Sequence, residues 1–283
     1  MTGDESAHGF QPWLVTLRAG AVVAPSTPRE PLFSRGLRIG SIEPELVVVS
    51  QLDRLLHEGT PLLRRGRQTE AGHNDNENEA AGWHVDGDTT RSLALVAGHL
   101  RAAGFAGAWR DEQLAVNGPD GQRLGTVERG VVRALGIPTL AVHLVGSAPD
   151  GRFWIQQRAF DKPNDPGMWD TLMGGMVSAA DSVETALARE TWEEAGLHTD
   201  QLQHLRHGGR LETARPGTDG RMGYVTEFID WYTCTVPDGV TPVNQDGEVE
   251  QFVLMTAGEV IARMGEGEFT TEAALILADV MGL

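Results

Sequence analysis

Apolar positions along the chain switch between two periods, and the switches outline its elements. "DTTRSLALVAGHLRAAG" places Leu93, Val96, Ala97 and Leu100 on one helical face, with Asp88 or Thr89 as cap and Gly104 as stop, which predicts a helix. "EQLAVNGPDGQRLGTVE" has two short apolar stretches around the turn residues "GPDG", the pattern of a hairpin. "ERGVVRALGIP" reads as a short helix closed by Gly136 and Pro138. Beyond it the pattern becomes one of strands, "TLAVHLVG" and "RFWIQQR", separated by the turn "SAPDG". "DSVETALARETWEEAG" returns to the helical period through Val183, Ala186, Leu187 and Glu190 or Thr191, and Gly196 stops it. "RMGYVTEFIDWYTCTV" and "EVEQFVLMT" follow as strands, and "TTEAALILADVMG" as a closing helix. The segment from Arg64 to Asp88 is polar and aperiodic and reads as a flexible loop. Its histidines, His73 and His84, lack partner ligands at a fixed spacing.

Strands and helices mixed without regular βαβ alternation predict an α+β architecture. The change of pattern near Gly136 predicts two domains, an N-terminal α+β domain over 1–136, with the loop at 64–88, and a second over 137–283.

Charge narrows the function. Lys and Arg number 23 against 40 Asp and Glu, a net charge of −17. Such a surface repels phosphate backbones, so nucleic acid is not an expected partner. Any phosphate chemistry then calls for a metal ion or a local arginine cluster. Cys234 is the single cysteine, which excludes an internal disulfide and a thiolate zinc site. No 18-residue apolar run and no basic-then-apolar leader stand in the chain, and the expected location is cytoplasmic, with no membrane partner.

The candidate chemistry lies in "RETWEEAGL". On a helix, residues i, i+3 and i+4 share a face, so Glu190, Glu193 and Glu194 are expected to present three carboxylates to one point. Like charges at that spacing repel, and hard oxygen donors suit Mg²⁺ or Mn²⁺. Arg189, four residues before Glu193, can hold that carboxylate by an ion pair. An acidic helix is ordinarily a solvated face; the neighbourhood decides otherwise. Gly174 and Gly175 end a strand just upstream, where a backbone without Cβ can approach a metal or phosphate closely.

The string "GGMVSAADSVETALARETWEEAGL" resembles the Nudix box, the signature of Mg²⁺-dependent hydrolases of diphosphates linked to another moiety. Gly175, Arg189, Glu190, Glu193, Glu194, Gly196 and Leu197 match at the required spacing; Asp181 stands in place of Glu, and Thr191 in place of an apolar residue. The resemblance implies an α/β/α sandwich with a mixed sheet from about Ile137 onward. It implies that Glu190, Glu193 and Glu194, with the Gly174 carbonyl, bind Mg²⁺ or Mn²⁺. Glu193 is the first choice for the carboxylate that also orients the attacking water, with Glu248 or Glu250 as alternative general base; strand alternation puts those two on one face.

"PVNQDGEVEQFVLM", "ERGVVRALGIPTLAVHLVG" and "WRDEQLAV" are similar to a Nudix subgroup related to thiamine-diphosphate metabolism that carries an extra N-terminal domain. That similarity implies a small-molecule substrate, thiamine diphosphate or its oxidised forms. Arg158 and Lys162 are the cations expected to meet the phosphates, and Trp169 or Trp231 the rings expected to stack on a heterocycle. A nucleotide derivative such as ADP-ribose is the alternative substrate, and a non-catalytic diphosphate sensor the alternative function. An isopentenyl-diphosphate isomerase fits less well, because Cys234 lies far downstream of the place for an acid-base cysteine. Shaping the pocket, covering it and building a homodimer contact are the roles open to the N-terminal domain.

Overall fold

The computed structural model describes residues 11–69, 79–217 and 222–283. The N-terminal half runs α1 (Pro12–Ala21), β1 (Glu30–Ser34), β2 (Leu37–Ile42), α2 (Pro44–Ser50), a short ladder of β3 (Leu56–His57) and β4 (Thr60–Pro61), β5 (Leu63–Thr69), β6 (Glu79–Val85) and α3 (Thr89–Ala102). A hairpin of β7 (Gln113–Asn117) and β8 (Arg123–Glu128) follows. Strands β2, β1, β6 and β5 form one sheet in that order, parallel only between β1 and β6. Helix α3 starts where the Asp88 carboxylate accepts the Arg91 N–H at 3.0 Å. It buries Leu93, Val96, Ala97 and Leu100 in a core shared with Leu32, Ile39 and Val127.

Two expectations need correction here. Residues 64–69 and 79–85 are not loop: β5 and β6 pair antiparallel there, and His84 stacks on Phe33 with ring centroids 5.0 Å apart. Gly66 faces Gly82 across that ladder, so no apolar alternation advertises it. Residues 70–78, His73 among them, lie outside the described residues. "ERGVVRALGIP" forms only a 3-10 turn at Arg129–Val131. Val131, Val132, Ala134 and Leu135 are all buried as a helical period would have them, but the backbone continues in mixed turn bonds, Leu135 N–H to the Val131 carbonyl and Gly136 N–H to the Arg133 carbonyl, before Pro138 ends it.

The C-terminal half contains β9 (Thr139–Ser147), β10 (Phe153–Arg158), β11 (Trp169–Asp170), β12 (Met173–Met176), α4 (Val183–Ala195), β13 (Gln203–Pro216), β14 (Tyr224–Thr235), β15 (Val249–Met255), α5 (Ala257–Gly265) and α6 (Thr271–Met281). Seven strands make one mixed sheet, β11-β10-β9-β14-β13, with β12 on β9 and β15 on β10; β9 and β14 are parallel. The near-continuous apolar run of β9 is covered on both faces. Val142 and Leu144 pack with Ala186, Leu187 and Ala195 of α4. Ala141 and Val145 pack with Val260 of α5 and Ile276 and Leu277 of α6. Helices on both faces of a mixed sheet make an α/β/α sandwich, as expected.

Helix α1 crosses the expected division near residue 136. Its Leu14 and Ala21 pack with Leu275 and Ala278 of α6, and the Val23 N–H bonds the Ala214 carbonyl of β13 at 2.7 Å. The β7–β8 hairpin also reaches the C-terminal half, where the Ala179 N–H bonds the Gln113 carbonyl at 2.7 Å. Among the described residues no helix is long and apolar enough to cross a membrane.

Candidate functional site

The ends of α4 fix where its carboxylates go. Ser182 Oγ accepts the Thr185 N–H at 3.2 Å, Thr185 Oγ1 accepts the Ser182 N–H at 2.8 Å, and Gly196 ends the helix at φ 64°. Thr191 is fully buried, and its hydroxyl donates to the Leu187 carbonyl at 2.6 Å, so a polar residue fills an apolar position with its hydrogen bond satisfied.

Helix α4 also completes the free edge of β12. The Val177 N–H donates to the Leu140 carbonyl at 2.8 Å, which sets the ladder so that Gly174 and Met176 direct their polar groups away from β9. Glu194 Oε2 accepts the Gly174 N–H at 3.0 Å, and the Met176 carbonyl accepts from Arg189 Nη2 at 3.3 Å. The Gly174 carbonyl faces the same edge. A Cβ on Gly175 would stand 2.1 Å from Glu190 Cδ, and one on Gly174 2.6 Å from the His143 ring. Both positions need the space glycine leaves.

The three glutamates do not meet at one point. Successive helix residues are ~100° apart, so Glu193 and Glu194 diverge. Glu194 is 2% exposed and turns to the sheet, also accepting from Gln156 Nε2 at 3.0 Å. Glu193 turns outward and accepts from Arg189 Nη1 at 2.8 Å. The same Nη1 donates to Glu190 Oε1 at 2.9 Å, and Arg189 Nε to Asp181 Oδ2 at 3.0 Å. The shorter acid at 181 therefore still pairs with Arg189.

Gly174, Gly175, Met176, Arg189 and the three glutamates line one cleft of about 1080 Å³. Arg158, Lys162 and Glu248 line it too, each in an ion pair. Lys162 Nζ lies 2.5 Å from Glu248 Oε2 and 3.6 Å from Glu194 Oε1; Arg158 Nη1 lies 3.1 Å from Asp170 Oδ2. Burial opposes ionisation of Glu248, but the Lys162 hydrogen bond and charge, with Arg110 and Arg129, hold it below the ordinary carboxylate range.

Other expected residues go elsewhere. Trp169 is buried in the core beside Met264 and Phe269, under the Arg263 guanidinium, and does not line the cleft. Strand alternation sends the next residue, Asp170, to the cleft instead. Glu250 is exposed, because β15 slips register between Gln251 and Val249 and the extra residue, Glu250, breaks the alternation that would align it with Glu248. Trp231 lies over Gly208 and Gly209 of β13. Cys234 is buried away from the cleft, and burial pushes its thiol up to about 12, which leaves it no acid-base role at neutral pH.

Sequence reasoning missed His143, Asp170, Glu227 and Glu272, which line the same cleft. His143 Nδ1 sits 2.9 Å from Thr171 Oγ1, and burial lowers its pKa, so the ring stays neutral. Its signal was a lone polar side chain inside an apolar strand. Arg110, Arg129 and Arg133 come to the cleft from the N-terminal half.

The donor set suits a divalent cation. Burial pushes the Glu190 carboxyl up to about 7 against the charge of Arg189. Burial likewise pushes Glu194 up to about 7, although Lys162, the Gly174 N–H and Gln156 favour its ionised form. Two desolvated carboxyls, one buried and one half-buried, with incomplete compensation are what a hard cation relieves. Among the described residues no three His, Cys, Asp or Glu side chains already converge as a coordination shell. Arg189 and Lys162 take up the carboxylates instead.

Residues 138–275 match the NUDIX domain family. Nudix hydrolase 20, chloroplastic, of Arabidopsis thaliana is 28% identical over 210 residues, covering 69% of this chain and 52% of its own length. An uncharacterised protein of Saccharomyces cerevisiae is 27% identical over 188 residues, covering 61% of this chain and 54% of its own length. The chain thus spans about half the length of these curated relatives. A crystal structure from Deinococcus radiodurans aligns with a TM-score of 0.48 at 20% identity, covering 59% of this chain and 98% of that chain.

Proposed function

We infer from the Nudix domain at residues 138–275 that the chain is a divalent-metal-dependent hydrolase of a diphosphate joined to an organic group, with thiamine diphosphate or its oxidised forms as substrate. The observation that carries this reading is the pair of carboxyls, buried Glu194 and half-buried Glu190, facing a cleft that also holds Lys162, Arg158 and the outward-turned Glu193. Glu190, Glu194 and the Gly174 carbonyl, with Glu193, would hold Mg²⁺ or Mn²⁺, which offsets phosphate charge and makes a bound water more acidic. Glu193 reaches solvent in the cleft and is fixed by Arg189, so it accepts the proton of the attacking water. The water oxygen bonds to the terminal phosphorus while the bridging P–O bond breaks, and the electron pair leaves on the monophosphate oxygen. Arg158 and Lys162 flank the path of the phosphates.

Turnover of thiamine diphosphate, its oxidised form and ADP-ribose, with and without Mg²⁺, tests the reading. The expected result is inorganic phosphate and the corresponding thiamine monophosphate, only with the metal, and slower turnover of ADP-ribose. Faster cleavage of ADP-ribose would move the substrate to nucleotides; ligand-induced stabilisation with no product from any of the three would make the protein a sensor.

A further inference from the structure

The cleft continues beyond the carboxylate helix to the other end of β9. Thr139, Ala141 and His143 share one face of that strand and all line the cleft, and four residues of strand span roughly 13 Å. His143 is opposite Gly174 on one side; Thr139 is beside Glu227 of β14 on the other. A diphosphate alone is too short to reach both ends, so the far end is available to the organic group.

Glu227 is the unusual residue there. Thr139 Oγ1 donates to Glu227 Oε1 at 3.3 Å and is its sole hydrogen-bond donor among the described residues. The neighbouring Arg215 gives its Nη2 to Glu272 at the start of α6 and makes no hydrogen bond to Glu227 among the described residues. Burial pushes the Glu227 carboxyl up to about 7, with Glu272 adding to the rise and Thr139, Arg133 and Arg215 opposing it. A carboxyl in this position lacks N–H donors. The two guanidiniums nearby disfavour a localised ammonium, whereas a flat ring bearing an amino group supplies N–H without a second cation. Tyr224 and Met222, just before Glu227 in the chain, line the same cleft and give that ring an apolar neighbour.

We propose that Glu227 determines substrate specificity by accepting an N–H of an amino-substituted nitrogen heterocycle whose diphosphate reaches α4. The inference rests on the diphosphate reading for the ligand's other end alone. NMR titrations without metal, using the phosphate-free probes thiamine and adenosine, test the subsite apart from any hydrolysis. Wild-type protein is expected to bind at least one probe. Glu227→Leu is expected to weaken that binding about tenfold or more, as loss of a charge-assisted hydrogen bond does, and Glu227→Gln, which keeps one acceptor oxygen, by less. An alkyl diphosphate without nitrogen should bind all three proteins equally in Mg²⁺. If Glu227→Leu fails to fold, Glu227→Gln carries the test, with a weakening confined to the nitrogen probes. Failure of the wild type to bind either probe, or equal binding by wild type and the folded variants, would overturn the proposal. Since phosphate release is not measured, a protein that binds the probes but never hydrolyses leaves this subsite standing and removes only the catalytic reading.

Discussion

Glu193→Gln is expected to lower Mg²⁺-dependent phosphate release by about 10²–10⁴-fold, the usual loss when a positioned proton acceptor is removed. The fold should hardly notice. The Glu193 side chain is 41% exposed, and Arg189 keeps Asp181, Glu190 and the Met176 carbonyl as partners when its bond to Glu193 weakens. Glutamine preserves the shape and one acceptor oxygen but cannot take a proton at neutral pH. Activity and melting temperature measured on the same preparation check both halves of the expectation. A variant with near-normal turnover would remove Glu193 from the chemistry and return the role to Glu248, which enters the cleft as the partner of Lys162.

Mg²⁺ is expected to stabilise the protein little at pH 5 and by several degrees at pH 8. The sign follows from the two desolvated carboxyls, Glu190 and Glu194. Each has a folded pKa of about 7 against an ordinary value of 4.5, so the metal-free fold binds these protons more tightly than the unfolded chain does. The stability they contribute is present below about pH 4.5 and is lost as pH rises through about 7. A rise of that size is worth on the order of 3 kcal/mol per group. Metal ions bind the ionised form, so they restore stability in the range where protonation no longer does. On the order of 2–4 °C per kcal/mol for a domain of 150–250 residues, this is visible in a thermal melt. Melts from pH 5 to 8, with Mg²⁺ and with chelator, check it. A Mg²⁺ shift that is equal at both pH values, or larger at pH 5, would contradict the assignment of Glu190 and Glu194.

Much of this was legible in the sequence where local rules decide. The helical period and glycine stop of α4, the cap of α3 at Asp88 or Thr89 and the apolar run of β9 each mark an element within a residue or two. The acidic spacing put Glu190, Glu193 and Glu194 on one helix face with Arg189 beside them; all four line the cleft, but Glu193 and Glu194 diverge instead of meeting at one point. Tertiary effects stayed hidden. The register slip beside Glu250 separates it from Glu248, and a single strand step turns Trp169 into the core and Asp170 into the site. The β5–β6 ladder, with Gly66 against Gly82, carries no apolar alternation to read. Glu227 and His143 reach the cleft only because β9, β12 and β14 are neighbours, a pairing that no stretch of sequence announces.

Mn²⁺ titration at pH 8, with free ion followed by electron paramagnetic resonance, tests most directly whether α4 seats a divalent cation. The wild-type protein should remove at least one equivalent of Mn²⁺ from solution, and the Glu190→Gln/Glu194→Gln double variant should bind it at least tenfold more weakly while keeping its fold. No bound Mn²⁺ in the wild type, or the same affinity in the double variant, would contradict the account.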